Sequence, residues 1–386
     1  MKFPRRTLLI TSPILLLVFT TLATAADSPI SSDAQKKLDE IVTKGIQYLE
    51  KNGQAADGTF TIKAGPGLTA LAITGALRNG KTVDDPVVAK GLKALEGFVK
   101  PDGGIYGNGR LRNYETCVAM LCFKEANKDG RYNETLKKAR AFVTGLQYGD
   151  GEIPKDDVWF GGVGYGGAGR PDLSNTGFLI EALIDTGSEA DDEAIQRALV
   201  FVSRCQNLES KFNTTEFAGK VNDGGFIYEI PREKIDPSTS PERYTENGGI
   251  RSYGSMTYAG LKSMIYAGLT KDDPRVKAAS EWASKNYSVQ ENPGMGSAGL
   301  FYYYHTFAAG LGTAGIAEVT DAEGNKHNWR EDLIFELAKR QNEDGSWANE
   351  NRRWFEDDKN LATAFALMAL SYCDADVAAA PAADAK

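Results

Sequence analysis

The sequence predicts an all-α fold, an (α/α)6 toroid in which six helix pairs form a double ring. Three observations predict it. Six segments carry an apolar stripe at helical spacing with a charged opposite face. Six others alternate with them, are apolar nearly all round, and each hold a threonine one turn inside their start. Glycine turns separate the two kinds. A helix without a polar face is surrounded by protein, so the apolar set belongs inside and the amphipathic set outside. An open array would need polar end repeats, and neither the first nor the last pair shows one, so the ring is expected to close.

The elements follow in chain order. Residues 1–25 combine a basic stub, Met1 to Arg6, with an apolar run from Thr7 to Leu22 and the small residues Ala23-Thr24-Ala25. That pattern predicts a signal peptide cleaved near Ala25 and export, periplasmic or secreted, with no stable membrane anchor. Single-domain toroid structure is expected over residues 32–373. Its outer helices are predicted at 33–51, 85–99, 133–147, 192–206, 273–287 and 328–341. The second and fifth open with Asp84-Asp85-Pro86 and Asp272-Asp273-Pro274, acids and a proline suited to a helix start. The sixth opens with Asn328 and Glu331, read as a variant capping box. The inner helices are those holding Thr69, Thr116, Thr176, Thr257, Thr306 and Thr363. Turns are read at Asp57-Gly58, Asp102-Gly103, Gly149-Asp150-Gly151, Asp223-Gly224 and Asp344-Gly345, each tucking a following apolar residue under the next helix. Residues 208–250 form a charged insertion expected to cover one face, and the Ala, Asp and Pro tail at 374–386 is expected to be disordered.

Charge narrows the partners. The chain has 44 Lys plus Arg against 52 Asp plus Glu, a net charge of −8. Loss of Lys2, Arg5 and Arg6 with the leader leaves 41 against 52, or −11. Such a surface argues against nucleic acid and anionic membrane as partners. The four cysteines, Cys117, Cys122, Cys205 and Cys373, fall on helices without a disulfide pattern and read as buried free thiols.

Gln341-Asn342-Glu343-Asp344-Gly345-Ser346-Trp347 reads Q-x-x-x-G-x-W, with weaker copies from Gln147 to Gly151 and from Gln206 into the Asp223 turn. Tyr304-His305-Thr306 precedes Gly310-Leu311. With the six pairs, these stretches resemble the terpenoid cyclase and protein prenyltransferase superfamily over about residues 32–373. The resemblance implies zinc held by an Asp-x-Cys pair and a His in the prenyltransferases. His305 matches the His, but Arg251 and Tyr253 stand at the other two positions, so no metal and no cofactor are expected. In the cyclases it implies an acid in Asp-x-Asp-Asp-Thr. The matching stretch is Asp172-Leu173-Ser174-Asn175-Thr176, where Ser174 replaces that acid, so this cyclisation is not expected either.

Inner helices that all start at one end would gather the residues before each threonine around one mouth. The candidate ligand-binding residues are Arg112, Glu115, Arg170, Asp172, Asn175, Arg251, Tyr253, Tyr302, Tyr304, His305, Trp354, Asp357 and Asp358. Plain alternatives stand beside them. His305 could bond a neighbouring loop, Asp172 and Asn175 could be helix caps, and Asp357-Asp358 could be a solvated charge run. Tyr302, Tyr303 and Tyr304 cannot all face one cavity at helical spacing. Three functions remain open: a protein binding a small molecule or an extended chain at the rim, a carbohydrate-active hydrolase or lyase using rim carboxylates, or a scaffold with a filled ring.

Overall fold

The computed structural model describes residues 30–374 apart from residues 62, 64, 167, 168, 234 and 235. The proposed leader and the tail beyond Asp374 lie outside the described residues. Six inner helices, α2 (Pro66–Arg78), α4 (Arg112–Ala126), α6 (Leu173–Asp185), α9 (Gly254–Tyr266), α11 (Leu300–Thr313) and α13 (Lys359–Leu370), form the core ring. Outside them lie α1 (Ser32–Tyr48), α3 (Pro86–Glu96), α5 (Asn133–Thr144), α7 (Glu193–Arg204), α10 (Pro274–Lys285) and α12 (Trp329–Arg340). A four-residue helix, α8 (Ala218–Val221), falls in the insertion. Each inner helix packs on the next, and α13 packs on α2 while α12 packs on α1, so both rings close. No helix among the described residues is long and apolar enough to cross a membrane.

The repeated residues explain how sequence becomes ring. In five pairs the threonine hydroxyl accepts the backbone N–H of the apolar residue after the glycine turn: Phe60 to Thr69, Ile105 to Thr116, Val163 to Thr176, Phe226 to Thr257 and Trp347 to Thr363, all within 2.9–3.1 Å. A buried turn amide is thereby satisfied by the inner helix it precedes. The glutamine at the end of an outer helix makes the second tie. Side-chain amides of Gln54, Gln147, Gln206 and Gln341 each donate both to a turn carbonyl (Gly58, Gly161, Gly224 or Gly345) and to a carbonyl of the neighbouring outer helix (Val87, Ala194, Arg275 or Ile41). Glycine is required at the turn. At Gly345, with φ +86°, a Cβ would sit 2.4 Å from the carbonyl oxygen of Lys44.

Two local expectations need correction. Gln147 pairs with Gly161, not with the Gly149–Gly151 turn, so the true third turn lies ten residues further on. Asn328 makes no side-chain cap, and Glu331 instead accepts the Ser31 N–H at the start of α1, helping to close the outer ring. A short hairpin, β1 (Val319–Thr320) with β2 (Lys326–His327), leads into α12. The four cysteines are buried with free thiols. Burial pushes the Cys122 and Cys373 thiols up to about 12.

Candidate functional site

The mouth is built by capping between repeats. A helix start leaves backbone N–H groups without intrahelical partners, and here the loop of the following repeat fills several of them. The N–H of Asn113 donates to the Tyr165 carbonyl, Leu173 to Tyr228, Gly254 to Pro293, and Ser255 to the Asn292 side chain. Those of Phe301 and Tyr302 donate to the Glu356 carboxylate. Each loop is thus drawn over the start of the preceding inner helix. All inner helices start at this end. Their C-terminal ends meet at the other, where Arg78, on α2, pairs with Glu125 of α4 and Asp185 of α6 and donates to Tyr372 after α13.

Aromatic rings and arginines gather on these loops and helix starts. Tyr165 (43% exposed) lies edge-on to Tyr114, which packs edge-on to Phe178. Tyr302 and Ser174 share a 2.6 Å hydrogen bond between α11 and α6. Tyr253 lies within electrostatic reach of Asp172, Arg243 and Arg353. One wall is the loop before α13. Trp354 (47% exposed) and Phe355 (79% exposed) hold left-handed backbone, φ +59° and +64°. Non-glycine residues adopt such backbone only when their surroundings impose it. The indole of Trp354 rests on Gly299, and the Arg353 guanidinium stacks on it at 4.5 Å.

The acids of the mouth point inward. Asp172 is buried, caps α6 at the Asn175 N–H, and accepts from the Asn175 side chain at 2.8 Å and 3.0 Å. Burial raises its carboxyl to about 6, against the lowering effect of Asn175, Tyr228 and Arg170. Glu115 accepts from the Gly107 N–H and is raised by burial. Glu356 is raised likewise while capping α11. Asp358 caps α13 and accepts from Thr61. Glu229, also buried, ion-pairs with both Arg170 and Arg243. Every buried carboxylate at this end is therefore already engaged.

Not all the candidate residues meet at the mouth. His305 is a correction: it is 0% exposed and lies inside the ring, stacked on Phe365. The position before the threonine is buried in every inner helix, with Leu68, Glu115, Asn175, Met256 and Ala362 at most 5% exposed, so it belongs to the packed ring and not to its rim. Tyr304 is a second correction, since its buried hydroxyl donates to the Val289 carbonyl in the loop after α10. Arg112 donates to the Gly166 carbonyl and ties two loops together. Arg251 is exposed beside the insertion, its guanidinium 3.4 Å from the Pro241 carbonyl. Asp357 is exposed near Arg352. Tyr165, Tyr228, Glu229, Arg243, Arg353 and Glu356 escaped the sequence reading. Tyr165 and Tyr228 both stand two residues after the apolar turn residue, Val163 or Phe226, an offset that would have found them.

Below the helix starts the ring is filled. Lys262 and Glu181 form a buried 2.6 Å ion pair, and Phe178, Phe365 and Leu68 are at most 6% exposed. Burial, helped by the nearby Lys262 ammonium, holds the His305 imidazole down to about 3, although Glu181 opposes this.

No family model matches this sequence, and no curated protein sequence matches it. Solved structures do. A variant of the type II terpene cyclase MstE from Scytonema, in complex with geranylgeranyl dihydroxybenzoate, is similar over 89% of this chain and 99% of its own, with 13% identity and a TM-score of 0.52. A family 76 glycoside hydrolase from a bovine Bacteroides thetaiotaomicron strain matches over 86% of this chain and 77% of its own (12%, 0.55). A glycosidase in complex with glucose matches over 89% and 99% (11%, 0.52). What is shared at these identities is the fold: this chain is an α/α toroid, an architecture that hosts both terpene cyclisation and glycoside hydrolysis.

Proposed function

We propose that this chain is an exported binding protein that holds an extended ligand across the mouth of its inner ring. The supporting observation is the contrast between the two levels of the ring. Tyrosines, Trp354 and arginines from several loops stand at the helix starts, while the space beneath is occupied by Phe178, Phe365, His305 and the Lys262–Glu181 pair. A ligand therefore lies over the helix starts rather than within the ring. Aromatic faces supply contact area at low entropic cost, and the arginines supply direction. The neighbours named above carry a prenylated aromatic acid in one case and glucose in another, which fits a toroid mouth as a small-molecule or sugar site.

The carboxylates weigh against glycan hydrolysis here. A hydrolase needs an acid and a second carboxylate free to face the scissile bond, whereas both oxygens of Asp172 are taken by Asn175 and Glu229 is clamped by two arginines. Mass spectrometry of material co-purifying with the mature protein tests the reading, compared with a Tyr253→Ala, Arg170→Ala double variant. Wild type should carry a ligand that the variant loses. An empty wild-type mouth, or equal loading of both proteins, would count against binding and favour a filled-ring scaffold.

A further inference from the structure

We propose that His327 is a proton-operated clasp: as an imidazolium it fastens the β1–β2 hairpin to α12 and to the segment leaving α10, and loss of its proton releases them. Its two ring nitrogens meet two carboxylates. Nδ1 lies 2.9 Å from Asp332 Oδ2, on α12, and Nε2 lies 3.0 Å from Asp321 Oδ2, in the hairpin turn. A neutral imidazole carries one N–H and one lone pair, so it can donate to only one of these oxygens and must turn its lone pair on the other. Only the imidazolium, protonated at both nitrogens, satisfies both contacts.

Both acids are placed as acceptors. Asp321 takes the backbone N–H groups of Glu323 and Asn325 at one oxygen and the Asn325 side-chain amide at the other. Together with the imidazolium, Asn325 holds its carboxyl down to about 2. Asp332 Oδ2 also accepts the Tyr287 hydroxyl at 2.7 Å. The Tyr287 ring stands 4.4 Å from the imidazole and leans on Phe307 of α11. Of the neighbouring charges, Lys326 pairs with Glu318 at 3.7 Å, and Glu331 accepts the Ser31 N–H. One imidazolium thus joins the hairpin to α12 and, through Asp332 and Tyr287, to the end of α10. The hairpin's own ladder is only two residues a side, pairing Val319 with His327 and Thr320 with Lys326, too little to hold it closed. Protons reach the ring from solvent, since the His327 side chain is 27% exposed. Burial opposes the charge but the two carboxylates prevail and raise the pKa, so the clasp is shut below that pKa and opens as pH rises through it.

The full chain has only two histidines, so His327 can be followed directly. Nitrogen-15 spectra of histidine-labelled protein should show both of its ring nitrogens protonated at pH 6, with a titration above the ordinary value of about 6.5. Amide hydrogen exchange, corrected for the intrinsic rate, should show protection over residues 319–327 falling at least tenfold from pH 6 to pH 9 while α4 is unchanged. His327→Gln, which cannot donate to both acids, should leave the hairpin as open at pH 6 as wild type is at pH 9. Asp321→Asn gives the sharper comparison. Its amide can donate to the lone pair of a neutral ring whose other nitrogen donates to Asp332, so the dependence should reverse, with better protection at pH 9 than at pH 6. Equal protection of the wild-type hairpin at both pH values, a His327 titration at or below about 6.5, or an Asp321→Asn chain that keeps the wild-type dependence would each overturn the clasp.

Discussion

Replacing Lys262 by Met tests how the filled ring is held together. The ammonium and the Glu181 carboxylate meet at 2.6 Å, with side chains 5% and 0% exposed. Met fills nearly the same volume, so the change removes charge without opening a cavity. It strands a carboxylate where water cannot reach, and breaking a buried pair in this way costs about 3–5 kcal/mol. Arg78 also stabilises the Glu181 charge, which argues for the lower end of that range. With roughly 0.7 kcal/mol/K of unfolding entropy for a chain of this size, the thermal midpoint should fall by about 4–7 °C.

The pH dependence carries a sign. In the native chain burial opposes the Glu181 charge, but Lys262 and Arg78 hold its carboxyl below the ordinary value. That contribution is present above the unfolded pKa and is lost as pH falls through the folded one. In Lys262→Met the shift reverses: Glu181 is raised, so the defect should shrink by up to ~1.4 kcal/mol for each unit of pH below 7. Glu181→Gln combined with Lys262→Met should recover to within about 1–2 kcal/mol of wild type, since no charge is left unpaired. Urea denaturation at pH 7 and pH 5.5, followed by circular dichroism, measures all three. A single variant within 1 kcal/mol of wild type at pH 7, or a double variant as unstable as the single, would refute the account (~1 kcal/mol being the resolution of such comparisons).

Other expectations follow from the same structure. Thr363→Val leaves the Trp347 N–H buried without an acceptor and should cost ~1–3 kcal/mol in denaturant unfolding, whereas Thr306→Val, whose hydroxyl bonds only within α11, should cost less. Gly345→Ala places a methyl against the Lys44 carbonyl at a left-handed φ and should lower the unfolding midpoint by at least about 1–3 kcal/mol equivalent. His305 stays neutral in the folded chain down to about 3 but protonates near 6.5 when unfolded. Wild type should therefore lose ~1.4 kcal/mol per pH unit over that window from this group, and His305→Gln should flatten that part of the stability profile. Burial opposes the charge of His327, but hydrogen bonds to Asp321 and Asp332 prevail and raise its pKa. His327→Gln should thus destabilise the chain at pH 5.5 and not at pH 9, read by thermal unfolding.

The ring was legible because its constraints are periodic. A threonine that accepts a turn amide recurs in five of the six pairs, and an all-apolar stripe marks burial whatever surrounds it. The site was less legible because it depends on burial within the ring and on contacts between repeats. His305 was read as a rim residue from its offset to Thr306, but the residue at that offset is buried in every inner helix. Glu356 looked like part of a charge run, yet its carboxylate binds the start of α11, 54 residues earlier in the chain. Glu229 sits in an insertion without periodicity, where no pattern says which acid turns inward.

Because in four units the next loop seals the helix start of the unit before it, those units are not complete by themselves. Deleting one helix pair would leave its predecessor's amides bare and also change the circumference, so the number of units is fixed as the number of staves in a cask is fixed. An open array can be shortened or lengthened at its ends; this molecule has none. Evolution, or an engineer, can vary the length of the loops freely but is confined to six.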